Sequence, residues 1–407
     1  MSSDQHIVIV GAGHAGGRAA EALRAAGHQG RITLIGNEQH PPYERPPLSK
    51  ELLAGAIPHE KTYLNPASFY AEKDIALRLG TVVGAIDRKG QRIELSDGDT
   101  IPYDALLLTT GARARRLPLP GGDGKRVFYL RDIDDSLALR ELLVEGARLA
   151  VIGAGFIGLE VAATARKRGA QVTVLELAPH PLARVAAPEL GEYLAQLHRA
   201  KGVDLKTGVK VTAIEDTGNE LRILLDGAPS VSADYAAIGI GAQPNIELAQ
   251  AAGIEIRDGI IVDEFGRSSD PAIFAAGDVT RHLNPLLGRH IRLEAWQNAQ
   301  NQGIAVAKAM AGGEQPFSEV PWFWTDQYET NLQMAGAPDK WDRVIFRGAP
   351  SDPGFTLFQL LDGKVVAAVT VNNARDMRFG RLLIQNGKIV DPALLSDKTT
   401  KLQDLVR

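Results

Sequence analysis

Residues 148–176, RLAVIGAGFIGLEVAATARKRGAQVTVLE, limit what this chain can fold into more than any other stretch. A short apolar strand, Leu149 to Ile152, runs into a turn on Gly153, Gly155 and Gly158. A helix with small residues at Ala162, Ala163 and Ala165 follows, and Gly169 ends it where a left-handed cap is favoured. A second strand, Val172 to Leu175, delivers Glu176 at its carboxyl end. Each glycine has its own task. The first permits the tight turn, the second lets backbone approach a pyrophosphate, and the third lets the helix lie close on the strand. The phosphates then meet a helix N-terminus carrying about half a positive charge. An acid about 20 residues on belongs on the ribose hydroxyls, and Glu176 stands there. The segment reads as a complete dinucleotide-binding unit.

The same pattern occurs once before. His6 to Val10 is a strand, Gly11, Gly13 and Gly16 form the turn, Ala15 to Ala26 is a small-residue helix stopped at Gly27, and Ile32 to Ile35 is the next strand. Asn37 and Glu38 stand where the acid belongs. Two such units imply two nucleotides, and the simplest chemistry that needs two is hydride passing from a nicotinamide to a flavin.

Composition narrows the chemistry by exclusion. The chain has no cysteine, so redox disulfides, protein-ligated iron–sulfur clusters and sulfenic acids are all ruled out. Its nine histidines are scattered, with no ligand spacing that predicts a metal site. A formal net charge of -4 provides no basic field for nucleic acid. No run of about 20 apolar residues is present to span a membrane. The first strand begins at His6, leaving no space for a leader, so the expected location is the cytoplasm.

At 407 residues, two or three domains are expected. After Glu38 comes HPPYERPPLSKELLAG, where Pro41, Pro42, Pro46 and Pro47 argue against a regular element; Ser49 or the prolines then lead into a helix. This stiffened loop presents Arg45 and Lys50 as cations for a cofactor. Strands are expected at Ala76 to Leu79, Val82 to Ile86 and Arg92 to Leu95, with Asp97-Gly98 as a hairpin turn. Asp104 to Gly111 reads as a buried strand whose carboxyl end faces a ligand crevice. The second nucleotide unit ends with the strand Tyr235 to Ile240. Ala272 to Asp278, AIFAAGD, looks like a return to the first domain. From Trp322 the character shifts, with a β-hairpin through Asp362-Gly363 and a closing helix, Asp376 to Asn386. The expected organisation is a discontinuous flavin domain over residues 1–115 and 246–320, a nicotinamide domain over 116–245, and a C-terminal α+β domain over 321–407. The fold class is α/β, with two Rossmann-like dinucleotide-binding domains ahead of that last one.

The segments IVIVGAGHAG, YERPPLSK, TTGARARRLP, VIGAGFIGLEVAATA, IGIGAQPN, FAAGDV and PWFWTDQ narrow this further. Along essentially its whole length the chain resembles the FAD-dependent NADH:ferredoxin reductases of bacterial oxygenase systems. That family has a glutathione-reductase-like fold, and the PPLSK and PWFWTDQ pair separates it from the wider flavoprotein superfamily. The resemblance implies that Gly11, Gly13, Ala15 and Gly16 hold the FAD pyrophosphate, with Asn37 or Glu38 on the ribose. The family commonly has aspartate where Asn37 stands. Arg45, Pro47, Val83, Thr110, Gly111, Arg131, Gly277 and Asp278 align with further FAD contacts, and Trp296 with a side chain packed on the flavin. Lys50 is expected beside the isoalloxazine ring, paired with Glu160. Gly153, Gly155, Ile157, Gly158, Glu176, Arg184 and Gly241 are expected to hold NADH.

Glu176 argues for NADH over NADPH, since a carboxylate on the ribose would face the extra phosphate at a cost of several kcal/mol, an order-of-magnitude figure. Trp324 is implied as the residue between the flavin edge and a docked one-electron carrier, a separate [2Fe-2S] ferredoxin. Such ferredoxins are acidic, which makes Arg281, Arg289, Arg292, Arg375, Arg378 and Arg381 a candidate docking patch. Both a monomer and a dimer are compatible with the sequence. The rival enzymes of the superfamily, disulfide reductases, peroxidases and water-forming oxidases, need an active-site cysteine. A rival of another class is a flavoprotein used as a signalling or binding module, in the manner of the apoptosis-inducing-factor relatives. Slow reduction and a persistent complex with NADH would mark that alternative.

Overall fold

Each glycine-rich segment builds the centre of a five-stranded parallel sheet. In the first, the strand order is Ile75–Arg78, Ile32–Ile35, Ile7–Val10, Ala105–Leu108 and Ile273–Ala275. In the second it is Asp204–Lys206, Gln171–Leu175, Arg148–Ile152, Tyr235–Ile238 and Val127–Tyr129. Both sheets therefore grow outward in two directions from the strand that precedes the glycines, which opens a crevice at its carboxyl end. The central strands are apolar on both faces, as strands covered on both sides must be.

The computed structural model describes residues 4–406 in two compact units. One comprises the chain up to Arg45 with His59–Arg113 and Ala242–Pro321. Its sheet is covered by the helices His14–Ala25 and Trp296–Met310, which cross where Gly303 lies against Ala15; a Cβ on Gly303 would stand 2.6 Å from the Ala15 carbonyl. A three-stranded antiparallel sheet, Val83–Asp87, Arg92–Leu95 and Thr100–Pro102, adds to the same unit.

The other unit takes Pro46–Pro58, Ala114–Gly241 and the chain from Trp322 onward. Here the stretch from Trp322 forms a five-stranded antiparallel sheet with the helix Ala374–Asn386 against it. Asp362 and Gly363 both have positive φ, 51° and 75°, as a type I′ hairpin requires. The structure thus gathers the nicotinamide-type sheet and the C-terminal sheet into one unit and cuts the chain near Arg113 and Gly241.

The proline-rich stretch differs from expectation. Pro46–Ser49 is a 3₁₀ turn, where the four prolines argued against a regular element, and the helix expected after them follows as the short Glu51–Ala54. Proline is tolerated in a first turn because its missing N–H has no partner there anyway. This segment sits on its unit through the Ser136 hydroxyl, which donates to the Leu48 carbonyl at 2.7 Å, and the Thr164 hydroxyl, which donates to the Ser49 carbonyl at 2.7 Å.

Candidate active site

In the first unit the turn is defined by what it excludes. Gly11 has φ +115°, and a Cβ there would stand 2.2 Å from the Thr109 carbonyl oxygen; one on Gly16 would stand 2.0 Å from the Gly11 oxygen. A Cβ on Gly13 would meet nothing within 4 Å. Gly13 caps the helix His14–Ala25 without any side-chain hydrogen bond, so the helix N-terminus faces open space suited to a diphosphate. Gly277 closes on the same place: its own φ is +84°, an added Cβ would lie 2.9 Å from Ala15, and its N–H donates to Gln302 Oε1 at 2.8 Å.

Around this turn the acid expected after the second strand is Glu38. It accepts from the Tyr43 hydroxyl at 2.5 Å and from Arg45 at 2.9 Å, while Asn37 is exposed. Burial works against the Arg45 charge, but Tyr43, Glu38 and Asp278 more than offset it, and its pKa is raised. Arg45, Glu38 and Asp278 thus form one charge cluster. Trp296 lies edge-on to His14 with ring centroids 5.2 Å apart. Thr110 and Gly111 are tied to Asn245: the Thr110 hydroxyl donates to its carbonyl, and the Gly111 carbonyl accepts from its N–H. Val83 stands apart on the antiparallel sheet, paired with Leu95.

The second unit repeats the turn. Gly153 has φ +102° with a Cβ position 2.5 Å from the Gly239 oxygen, and a Cβ on Gly158 would be 2.1 Å from the Gly153 oxygen. Gly155 caps the helix Phe156–Lys167, again without a side-chain bond, and its nearest neighbour would be 3.6 Å away. Glu176 reaches back to the turn, accepting from the Ala154 N–H at 2.6 Å and the Ala178 N–H at 2.8 Å. Ile157 is 46% exposed at the mouth of the turn. Arg184 lies beside Gly241, its guanidinium 3.3 Å from where a Cβ would be. Arg131 belongs to this unit too, at the head of the helix Ile133–Leu142, with its N–H donating to Asp135.

Glu160, on the helix that starts at the second turn, is a buried charge with a partner on each oxygen. It is 4% exposed; its Oε1 meets Lys50 Nζ at 2.8 Å and accepts from the Thr325 hydroxyl at 2.6 Å, and its Oε2 accepts from the Ser49 hydroxyl at 2.5 Å. Lys50 Nζ also donates to the Pro46 carbonyl at 3.3 Å, and Pro47 is part of the same 3₁₀ turn. A buried ion pair of this kind is tolerable only when its remaining lone pairs and protons are satisfied, as here. The strand Trp322–Gln327 docks on that helix through Phe323, whose ring lies 4.6 Å from that of Phe156, and through Thr325. Its opposite face carries Trp324 stacked on Trp322 at 5.3 Å, with Arg381 over Trp322 at 5.9 Å.

Ser49 and Thr325 had not been singled out in the sequence, although alternation along WFWTDQ puts Thr325 and Gln327 on the face opposite the tryptophans. The arginine patch needs correction in part. Arg281 and Arg292 both pair with Asp258, and Arg292 also with Glu294, so those two charges are neutralised within their own unit. Among the described residues no cluster of histidine and acid side chains could hold a metal ion, and no helix is long and apolar enough to cross a membrane.

The pyridine nucleotide-disulphide oxidoreductase family matches residues 5–303, and the reductase C-terminal family matches residues 322–406. The chain belongs to the pyridine nucleotide-disulphide oxidoreductases, in the branch of the ferredoxin–NAD(+) reductases of oxygenase systems. It is 45% identical over 404 residues, 99% of either chain, to the anthranilate 1,2-dioxygenase system ferredoxin–NAD(+) reductase component of Burkholderia cepacia. It is 39% identical to putidaredoxin reductase of Pseudomonas putida, over 100% of this chain and 98% of that one. The solved structure of a covalent putidaredoxin reductase–putidaredoxin complex superposes with a TM-score of 0.96 at 39% identity, covering 100% of this chain and 99% of that one. FAD and NAD(H) are the cofactors of this class, and two glycine turns with open N-termini fit two dinucleotides. The disulphide of the family name has no counterpart in a chain without cysteine.

Proposed function

We propose that this protein oxidises NADH and passes the electrons through FAD to a separate [2Fe-2S] ferredoxin, which feeds a Rieske dioxygenase or a haem-thiolate monooxygenase. The observation that carries the reading is the pair of glycine turns, each closed by its first glycine's N–H on the carbonyl that ends its second strand, in a chain with no cysteine to relay electrons between them. FAD, when bound, supplies the exchange between one hydride and two single electrons. Gly11, Gly13, Ala15, Gly16, Gly277, Asp278, Glu38 and Arg45 would hold it, and residues 1–115 with 246–320 form its domain. The nicotinamide domain, residues 116–245, would hold NADH on Gly153, Gly155, Gly158 and Glu176, with Arg184 and Gly241 beyond. Glu176, anchored by two backbone N–H groups, keeps a fixed negative charge where the phosphate of NADPH would fall and so favours NADH. Lys50 and Glu160 position the nicotinamide edge.

The ferredoxin contacts the C-terminal part, residues 321–407. Arg375, Arg378 and Arg381 recur every three residues on one helix face, and Arg381 lies over the Trp322–Trp324 stack. Trp324 is the residue through which electrons leave. Among the described residues no helix is long and apolar enough to cross a membrane, and the reading places the protein in the cytoplasm. Added salt tests the docking: ferredoxin reduction should slow steeply, while NADH oxidation by ferricyanide should not. Equal salt response of the two reactions would remove the patch. Failure of NADH to bleach the yellow protein rapidly would turn the reading toward a signalling flavoprotein.

A further inference from the structure

Glu160 is the end of a hydrogen-bond chain that continues well beyond its immediate partners. Thr325 Oγ1 accepts from Gln327 Nε2 at 3.2 Å, Gln327 Oε1 lies 2.8 Å from His198 Nε2, and His198 Nδ1 lies 3.3 Å from the Tyr328 hydroxyl. Glu160, Thr325, Gln327 and His198 are all at most 4% exposed. Water therefore cannot substitute for a missing link.

The chain has one direction. An ionised Glu160 can only accept, so the Thr325 hydroxyl must spend its one proton on it. Thr325 must then accept from the amide nitrogen of Gln327. This turns the Gln327 oxygen to His198, which has to carry its proton on Nε2. Nδ1 is left as an acceptor for the Tyr328 hydroxyl. Every dipole along the chain points its positive end at Glu160, an arrangement in which successive bonds strengthen one another.

The far end is held at a cost. Tyr328 has φ +56°, a region that a bulky side chain enters rarely and at an expense of about 1–3 kcal/mol. Its ring lies edge-on to His198 at 5.2 Å, Lys201 stands over that ring at 5.4 Å, and Lys167 donates to its carbonyl at 3.0 Å. The hairpin tip is thus clamped in the conformation that brings the hydroxyl to the imidazole. The two-residue turn between the strands Trp322–Gln327 and Thr330–Ala335 requires that positive φ in its own right, and the hydroxyl reaches His198, on the buried face of the helix Pro188–Ala200, from that turn.

We propose that His198 is a positioning residue for the Lys50–Glu160 pair, acting through Gln327 and Thr325. It fixes which proton each link offers, and so fixes the orientation of the Glu160 carboxylate and the place of Lys50 Nζ. The proposal rests on the reduction reading above, in which that pair sets the nicotinamide edge.

Two measurements on the FAD-loaded protein test it. With ¹⁵N-labelled histidine, His198 should give the signal of an Nε2-protonated neutral ring, and Thr325→Val should turn that signal into a mixture of tautomers. An Nδ1-protonated ring in the parent protein, or no change on Thr325→Val, would overturn the proposal. In rapid mixing with NADH, His198→Phe should slow flavin bleaching about fivefold, the loss expected for one hydrogen bond, at unchanged KM for NADH. His198→Gln, whose amide nitrogen takes the place of Nε2, should recover most of that loss. Bleaching by His198→Phe at the parent rate would reduce His198 to a packing residue. Should His198→Phe fail to fold, Gln327→Met is read by the same rate and the same criteria. If the parent protein itself is not bleached by NADH, the functional reading fails, while the tautomer measurement still decides whether the chain runs as described.

Discussion

The two glycine turns share their backbone but not the way they hold an acid. Gly11 N donates to the Ile35 carbonyl and Gly153 N to the Leu175 carbonyl, each at 2.8 Å, so the turns close on their second strands identically. Directly after that strand the units part. Glu176 stands immediately beyond Leu175 and binds the turn itself through the Ala154 N–H. The corresponding residue in the first unit is Gly36, where a Cβ would lie 2.6 Å from the Ala12 Cβ. A carboxylate therefore cannot start there. It comes from Glu38, two residues later, and needs Tyr43 and Arg45 to hold it. One turn carries its acid as part of its own backbone network; the other borrows side chains from the proline-rich loop.

If the turns are separate sites on a common plan, their first glycines should fail separately. Gly11→Ala forces both a left-handed φ and a contact 2.2 Å from a carbonyl oxygen, and should yield a protein that purifies without flavin. Gly153→Ala carries a similar strain with its contact at 2.5 Å, and should remain yellow yet resist reduction by NADH. Absorbance of the purified proteins and rapid mixing with NADH read both. Two colourless proteins, or two that are reduced normally, would break the comparison at its root.

The helices after the turns differ at one site in the same sense. Two residues past the third glycine stands Arg18 in one unit, in a partly exposed pair with Glu21 at 3.1 Å, and Glu160 in the other, buried against Lys50. Removing one partner of a buried pair leaves the other charge stranded, so Glu160→Gln should cost about 3–5 kcal/mol in denaturant unfolding. Arg18→Gln should cost less than about 1 kcal/mol. Similar costs at the two positions would mean that Glu160 is not the anchor its contacts describe.

How far this was legible in the sequence depends on whether the signal was local. The glycine turns were readable because strand, turn, helix and acid follow at fixed spacing, and the Asp362-Gly363 hairpin because two positive φ angles demand those residue types. Lys50 with Glu160 came only through resemblance, since the two lie far apart in the chain and their pairing is tertiary. His198 gave no local sign at all, because a buried polar residue on an amphipathic face looks like any other core position. The arginines misled for the complementary reason: a run of one sign does not show that Asp258, on another strand's approach, already takes two of them. The prolines were read as breakers ahead of a helix; the helix is there, and the turn before it accepts Pro46 and Pro47.

Gly36 offers a finer test. Gly36→Glu would place a carboxylate in the first unit where the second has one, against the Ala12 methyl, and should destabilise by about 1–3 kcal/mol. Adding Ala12→Gly removes the obstructing atom and should restore most of that loss. If Gly36→Glu alone is as stable as the parent, space is not what moved the acid to Glu38.

The smallest difference lies at the first helical residue, His14 in one unit and Phe156 in the other. Burial, and then the neighbouring Arg18 charge, push the His14 pKa down to about 4. Its neutral form is therefore the one that suits the fold. A histidine lowered in this way contributes stability in full above the unfolded value of about 6.5, and loses it as pH falls through that range toward about 4. His282, lowered to about 4 by burial, works in the same direction in the same unit. His14→Phe, which copies the second turn, should leave the melting temperature near neutrality little changed and reduce its fall between about pH 6.5 and 4, with His282 accounting for the slope that remains. Melting curves of the flavin-free protein across that range would show it, and an acid slope as steep as the parent's would mean that His14 takes up its proton alike in the folded and unfolded chain.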